Sequence, residues 1–117
     1  MFRRIAAEEL SRVLGVLSHP ARLQIIEELR GGERDVNSLM EALRIAHSGV
    51  SQHLSKLRAY RLVAERREGR HIYYRLTNPA LAEWLVEGLE FVLGDVEHAE
   101  ERVEAVEKAR QLWSSQS

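Results

Sequence analysis

The sequence predicts a mainly α-helical fold with one small β-hairpin and a long C-terminal helix. Two observations predict it. Apolar residues recur at helical spacing up to about residue 59, and a β-rich pattern then replaces them over residues 62–76. With 117 residues, the chain has the length of one domain. Short helices followed directly by a two-stranded hairpin are typical of a winged helix-turn-helix, which we predict for residues 1–117.

Four helices are predicted before the hairpin. The first covers residues 5–17 with an apolar face. The second starts at Pro20, a residue suited to the first helical position, and ends at a pair of glycines. Asp35 is the expected N-cap of a short third helix. A fourth helix, the predicted recognition helix, covers about residues 47–59.

The hairpin and the last helix complete the order. The hairpin, or wing, covers about residues 63–76 with Gly69 in its turn. Asn78 is the expected cap of the last helix, which covers about residues 79–113 and would be roughly 50 Å long at about 1.5 Å per residue. Its apolar residues follow each other in steps of four and three, as in a coiled coil. We therefore predict a homodimer whose last helices pack against each other through Leu85, Leu89, Val92, Val96, Ala99, Val103 and Val106.

The composition excludes several classes of protein. The chain has no cysteine, so disulfides, thiolate metal sites and cysteine nucleophiles are excluded. The longest stretch without Asp, Glu, Lys or Arg, residues 45–55, is too short to span a bilayer. No apolar run follows the first arginines, so we expect no signal peptide, no membrane association and a cytoplasmic protein.

Charge and polar residues point to double-stranded DNA as the partner. Residues 44–75 carry eight basic and two acidic side chains, although the whole chain has a net charge of −1. Short polar side chains on the fourth helix are suited to base edges, and the cations beside them are suited to phosphates. The predicted DNA-binding residues are His47, Ser48, Gly49, Ser51, Gln52, His53, Ser55, Lys56, Arg58, Arg66, Arg67 and Arg70.

Three stretches together resemble the ArsR/SmtB family of winged-helix repressors. They are HPARLQII at 19–26, VSQHLSKLR at 50–58 and RREGRHIYYRL at 66–76. The resemblance covers about residues 5–90 and implies a homodimer that represses genes by binding an inverted-repeat operator. It implies an interface formed by the first and last helices, which adds Leu10, Val13 and Leu14 of the first helix to the predicted interface. Residues 46–49 are Ala-His-Ser-Gly where family members commonly have Ser-Gln-Ser-Thr, so we expect a different operator sequence.

The resemblance also indicates where metal ligands would lie. The family's cysteine site falls on residues 34–37, which are Arg-Asp-Val-Asn, and the site on the last helix falls on residues 78, 80, 91 and 94, which are Asn, Ala, Phe and Gly. Both familiar sites are therefore expected to be missing, and we predict no cofactor. The alternative is a relocated Zn, Ni or Co site on the last helix, with Asp95, His98 and Glu101 as candidate ligands.

The sequence also bears on two other classes of function, an enzyme and a protein-interaction module. An enzyme is not predicted, because serines and histidines along one exposed helix do not form an oriented nucleophile and base. A winged-helix protein-interaction module remains an alternative. The effector is left open among a metal, an organic ligand, a change of pH, a protein partner or none.

Overall fold

The computed structural model describes residues 1–94 and 100–115, which form two compact units, Met1–Asn78 and Pro79–Ser117. The first unit is mainly helical with a small antiparallel sheet, and the second consists of two helices. The elements are α1 (Phe2–Leu17), α2 (Pro20–Glu28), a 3-10 turn (Leu29–Gly31), β1 (Arg34–Asp35), α3 (Val36–Leu43), α4 (His47–Ala59), β2 (Val63–Glu68), β3 (His71–Leu76), α5 (Ala80–Gly94) and α6 (Glu100–Ser115).

The starts of α2 and α3 follow from local capping chemistry. Pro20 occupies the first position of α2, and the backbone N–H of Ala21 donates to His19 Nδ1 over 3.1 Å. Asp35 caps α3 by accepting from the backbone N–H of Ser38 over 2.8 Å. Both helices therefore begin where the sequence predicts.

The sheet has three strands in the order β1-β3-β2, all antiparallel. The predicted hairpin is present, with Glu68 opposite His71 across a two-residue turn. Gly69 opens this turn with a φ of 61°, a conformation that glycine adopts without steric cost. The sequence did not predict β1, because a two-residue strand is too short to show an alternating pattern.

The core of the first unit lies between α2, α3, α4 and the base of the hairpin. Its fully buried side chains come from every one of these elements; they are Ile25, Ile26, Leu39, Val50, Leu54, Leu57 and Val63. Three of them lie on α4, so burial fixes the rotation of this helix about its axis. The opposite side of α4 therefore faces solvent.

The second unit differs from the prediction of one continuous helix over 79–113. The chain instead forms α5 and α6, which pack on each other. Arg110 Nη1 lies 3.2 Å from Glu90 Oε1, whereas a continuous helix would separate these residues by about 30 Å. The spacing of apolar residues shows which face is buried, but it does not show whether the covering helix is the partner's or the chain's own.

The predicted interface residues of the second unit are only partly described. Leu85, Leu89 and Val106 are half-buried, and Val92 is 52% exposed. Val96 and Ala99 lie outside the described residues, as does the side chain of Val103. Among residues 1–94 and 100–115, no helix combines the length and apolar composition needed to cross a bilayer.

Candidate nucleic-acid interface

The exposed face of α4 carries polar side chains at helical spacing. Ser48, Gln52 and Ser55 are exposed and follow each other at steps of four and three, with Lys56 beside them. Gly49 is half-buried, and a Cβ at this position would lie 3.9 Å from the side chain of Ile45, an ordinary van der Waals contact. The exposed face of α4 is therefore polar from Ser48 to Lys56.

The first turn of α4 begins without a side-chain cap. Its N-cap residue is Ala46, which has no side-chain oxygen to accept from the first N–H groups of the helix. His47 is exposed, and its Nδ1 atom lies 3.3 Å from Ser51 Oγ one turn later. These N–H groups and the His47 ring are thus available to solvent or to a ligand.

His53 is placed differently from the other predicted contacts. It is half-buried, and its Nδ1 accepts from Arg22 Nε over 3.2 Å, while its ring lies 4.4 Å from the His19 ring. Burial lowers the pKa of His53, and the neighbouring His19 and Arg22 lower it further. His53 therefore joins α4 to the start of α2 and lies apart from the exposed polar face.

Arg66 is held inside the protein's own network of ion pairs. Its guanidinium donates to both carboxylate oxygens of Glu33 over 2.9–3.1 Å and to Glu68 over 2.7 Å, and it lies over the Tyr73 ring. The hydrogen bonds to Glu33 raise the pKa of Arg66, and the same contact lowers the pKa of Glu33. Sequence reasoning missed Glu33, which is 33 positions away along the chain.

Arg58 joins the end of α4 to the wing. Its Nη1 lies 2.8 Å from Glu65 Oε1, and the Tyr74 hydroxyl donates to the other oxygen of Glu65 over 3.4 Å. Burial and the Glu65 carboxylate raise the pKa of Tyr74. A carboxylate therefore already neutralises the charge of Arg58 and the charge of Arg66. This distinguishes them from the other cations that the sequence predicts as DNA contacts.

The remaining predicted cations, Lys56, Arg67 and Arg70, are exposed. Within the described part of the chain, no carboxylate lies in ion-pair distance of Lys56, Arg67 or Arg70. Arg67 lies on β2 and Arg70 in the turn of the wing. These three side chains are thus the cations best placed for phosphate contact.

The candidate metal ligands are mostly outside the described residues. Asp95 and His98 lie there, and the side chain of Glu101 is not described either. Among the residues that are described, no three His, Asp or Glu side chains are grouped so as to hold a metal ion.

A polar helix anchored on its apolar side, next to a hairpin with exposed arginines, defines a winged helix-turn-helix DNA-binding domain. The sequence profile described as "Bacterial regulatory protein, arsR family" matches residues 19–65. The chain is 35% identical over 103 residues to the nodulation protein NolR of Rhizobium meliloti, covering 88% of this chain and 84% of that protein. It is 40% identical to the HTH-type transcriptional repressor SmtB of Mycobacterium tuberculosis, covering 82% of this chain and 64% of that one.

A solved structure agrees with these sequence relatives. The transcriptional repressor BigR from Xylella fastidiosa superimposes with a TM-score of 0.68 at 37% identity, over 77% of this chain and 91% of that one. The chain belongs to the ArsR/SmtB family of winged-helix transcriptional regulators, which confirms the predicted family and fold. Its relatives are transcriptional regulators and not enzymes.

Proposed function

We propose that this regulator is a homodimeric repressor that binds an inverted-repeat operator, with α4 in the major groove and the wing in the adjacent minor groove. The observation that carries the proposal is the two-sided character of α4. Val50, Leu54 and Leu57 hold one side in the core, while Ser48, Gln52 and Ser55 are exposed on the other. A helix of this kind enters the major groove without losing its own packing.

The side chains divide into three roles. Gln52 and Ser48 read base edges, because an amide or a hydroxyl can both donate to a base and accept from it. Lys56, Arg67 and Arg70 contact phosphates. Arg58, Arg66 and His53 position α4 and the wing through their contacts with Glu65, Glu33 and Arg22.

Exposed apolar side chains support a homodimer. On α1, Phe2 is 81% exposed and Leu10 is 52% exposed; on α5, Phe91 is 75% exposed. Large apolar side chains in such numbers favour burial against another protein surface. A second copy is the proposed occupant, since two-fold symmetry matches an inverted repeat with half-sites about 34–36 Å apart.

The cysteine ligands that the resemblance implies for a metal site are missing from this sequence. Position 35 holds aspartate and position 37 asparagine, where the resemblance implies cysteines. We therefore propose a regulator that does not respond to metals through those sites. Release of the operator by Zn, Ni or Co would favour the alternative sensor site at Asp95, His98 and Glu101.

The experiment selects a duplex from a random pool and compares the wild-type protein with Gln52→Ala by fluorescence anisotropy. We expect the substitution to weaken binding by about 1–3 kcal/mol and to relax sequence preference, because a base-edge contact is lost. Ser11→Ala, on the exposed side of α1, is the matched control and leaves affinity unchanged. If no sequence is enriched from the pool, the proposal fails and the protein-interaction module takes its place.

A further inference from the structure

We propose that a cleft between α3, α4 and the wing turn holds one backbone phosphate of the operator, with His47 and Arg70 as its principal contacts. The inference rests on the proposed function and adds to it a specific site for one phosphate group. The cleft belongs entirely to the first unit of the structure.

Three separate elements form the cleft. Asp35, Val36 and Asn37 lie at the start of α3, His47 is the first residue of α4, and the remaining lining comes from the wing; these last residues are Arg70, His71 and Ile72. Its volume of about 160 Å³ is enough for several waters or one tetrahedral anion. The cleft is open to solvent on one side, so a group carried on a larger molecule can enter it.

The polar groups of the cleft are suited to an anion. Arg70 has no carboxylate in ion-pair distance within the described residues, so its charge is not already neutralised. His47 contacts Ser51 through Nδ1; when this atom accepts from the Ser51 hydroxyl, Nε2 carries the ring proton and can donate to a ligand. His71 adds a second imidazole, and a neutral imidazole as well as a charged one carries an N–H donor.

The residues that line the cleft include one carboxylate, that of Asp35, which is part of the cap of α3. Asp35 Oδ1 accepts from the backbone N–H of Ser38, so this group is already bonded as the cap of α3. The N-terminal end of a helix carries partial positive charge, which offsets part of the carboxylate's charge. Within the described residues, the cleft therefore combines a guanidinium without an ion-pair partner, that of Arg70, with a carboxylate that is already engaged in the cap of α3.

The position of the cleft indicates a backbone phosphate. When a recognition helix occupies the major groove and a wing occupies the adjacent minor groove, the strand that separates the two grooves must pass between them. The cleft is the gap between the first residue of α4 and the wing turn. A free phosphate compound is the other source of the same chemistry, and the experiment distinguishes the two.

The test measures energetic coupling between Arg70 and individual phosphates. Operator duplexes are prepared in which one phosphate at a time is replaced by an uncharged methylphosphonate, and each is titrated with wild type, His47→Gln, Arg70→Ala and Arg67→Ala. We expect that replacing one particular phosphate weakens binding of the wild-type protein by about tenfold, as for the loss of a charge-assisted hydrogen bond. In Arg70→Ala, replacing the same phosphate should cause almost no further loss of affinity. In His47→Gln, the loss of affinity should be smaller than in wild type.

Arg67→Ala is the matched control, because Arg67 is also exposed on the wing but does not line the cleft. It should retain the full tenfold loss at the same position. If the loss of affinity caused by Arg70→Ala and the loss caused by the methylphosphonate simply add at every phosphate, the assignment is overturned. The DNA-binding function is then left intact. A wild-type protein that binds no duplex overturns both, so the two failures are distinguishable.

A second arm uses inorganic phosphate and a nucleoside monophosphate as probes. Both are titrated into the 117-residue protein while the imidazole signals are followed by NMR, and then into the protein–operator complex. We expect weak binding that does not release the operator beyond the effect of ionic strength. Saturable binding of either probe at micromolar concentration, with specific release of DNA, would overturn the backbone assignment in favour of a free ligand.

Discussion

At the scale of single residues, the arginines of the wing are not equivalent. The sequence predicted Arg66, Arg67 and Arg70 as one group of phosphate contacts, because composition alone gives each the same charge. The structure pairs Arg66 with Glu33 and Glu68, whereas Arg67 and Arg70 have no ion-pair partner within the described residues. The difference depends on a long-range contact that no local pattern reveals.

This difference predicts unequal effects of two substitutions. Arg67→Ala should weaken binding to all DNA sequences alike and reduce the slope of log K against log [salt] by about 1, because one phosphate contact is lost. Arg66→Ala should reduce the slope by less, since Glu33 and Glu68 already neutralise this charge, and should lower the melting temperature by loosening the wing. Binding at several salt concentrations checks both, and equal slope changes would contradict the assignment.

His53 predicts a pH dependence of stability. Its pKa is lowered in the folded protein by burial, then by His19 and Arg22, so the unfolded chain takes up the proton first. Stability contributed by neutral His53 is therefore fully present at neutral pH and is lost as the pH falls below about 6.5. Urea unfolding at pH 7.5, 6.0 and 5.0 measures the loss.

The His53→Asn variant isolates this contribution. Its amide oxygen can accept from Arg22 but does not titrate in this range. We expect wild type to lose more stability than His53→Asn between pH 7.5 and 5.0. Parallel losses in the two proteins would show that His53 is not the group responsible.

At the scale of elements, local chemistry predicted the starts of helices well and the longer-range pairings poorly. Pro20 and Asp35 mark the starts of α2 and α3 because capping needs only neighbouring residues. The two-residue strand β1 was missed, since it exists only through pairing with β3. His53 contacts α2, and its spacing of three residues after the buried Val50 and four residues before the buried Leu57 is a local signal of this placement.

The turn of the wing gives an element-scale prediction. Gly69 has a φ of 61°, which costs other residues about 1–2 kcal/mol. Gly69→Ala should therefore lower the free energy of unfolding by about that amount, as measured by urea denaturation. Arg70→Ala, at the next position of the turn, should change stability by less than about 0.5 kcal/mol. An unchanged stability in Gly69→Ala would show that the turn rearranges.

At the scale of the whole molecule, the chain separates its charges along the sequence. Residues 44–75 are strongly basic, while the second unit carries most of its charge as glutamate. The sequence predicted this division and the family correctly. It predicted one long helix where the structure has α5 and α6, because apolar spacing is compatible with either arrangement.

A charge placed on the exposed apolar side of α1 tests the proposed dimer. Leu10→Glu should give a monomer by light scattering at micromolar concentration, because a buried unpaired carboxylate opposes association. Ser11→Glu, at the next exposed position of the same helix, is the matched control and should remain dimeric. A wild-type protein that is itself monomeric would contradict the proposed assembly.

The measurement that tests the central claim most directly is fluorescence anisotropy of the selected inverted repeat and of its half-site, with wild type and Leu10→Glu, over a range of salt concentrations. We predict that two chains bind each inverted repeat and that binding to the half-site is much weaker. We also predict that Leu10→Glu no longer binds the full site more tightly than the half-site, and that affinity falls steeply with salt. Equal affinity of wild type for both duplexes, or binding indifferent to salt, would contradict a dimer that reads an operator through α4.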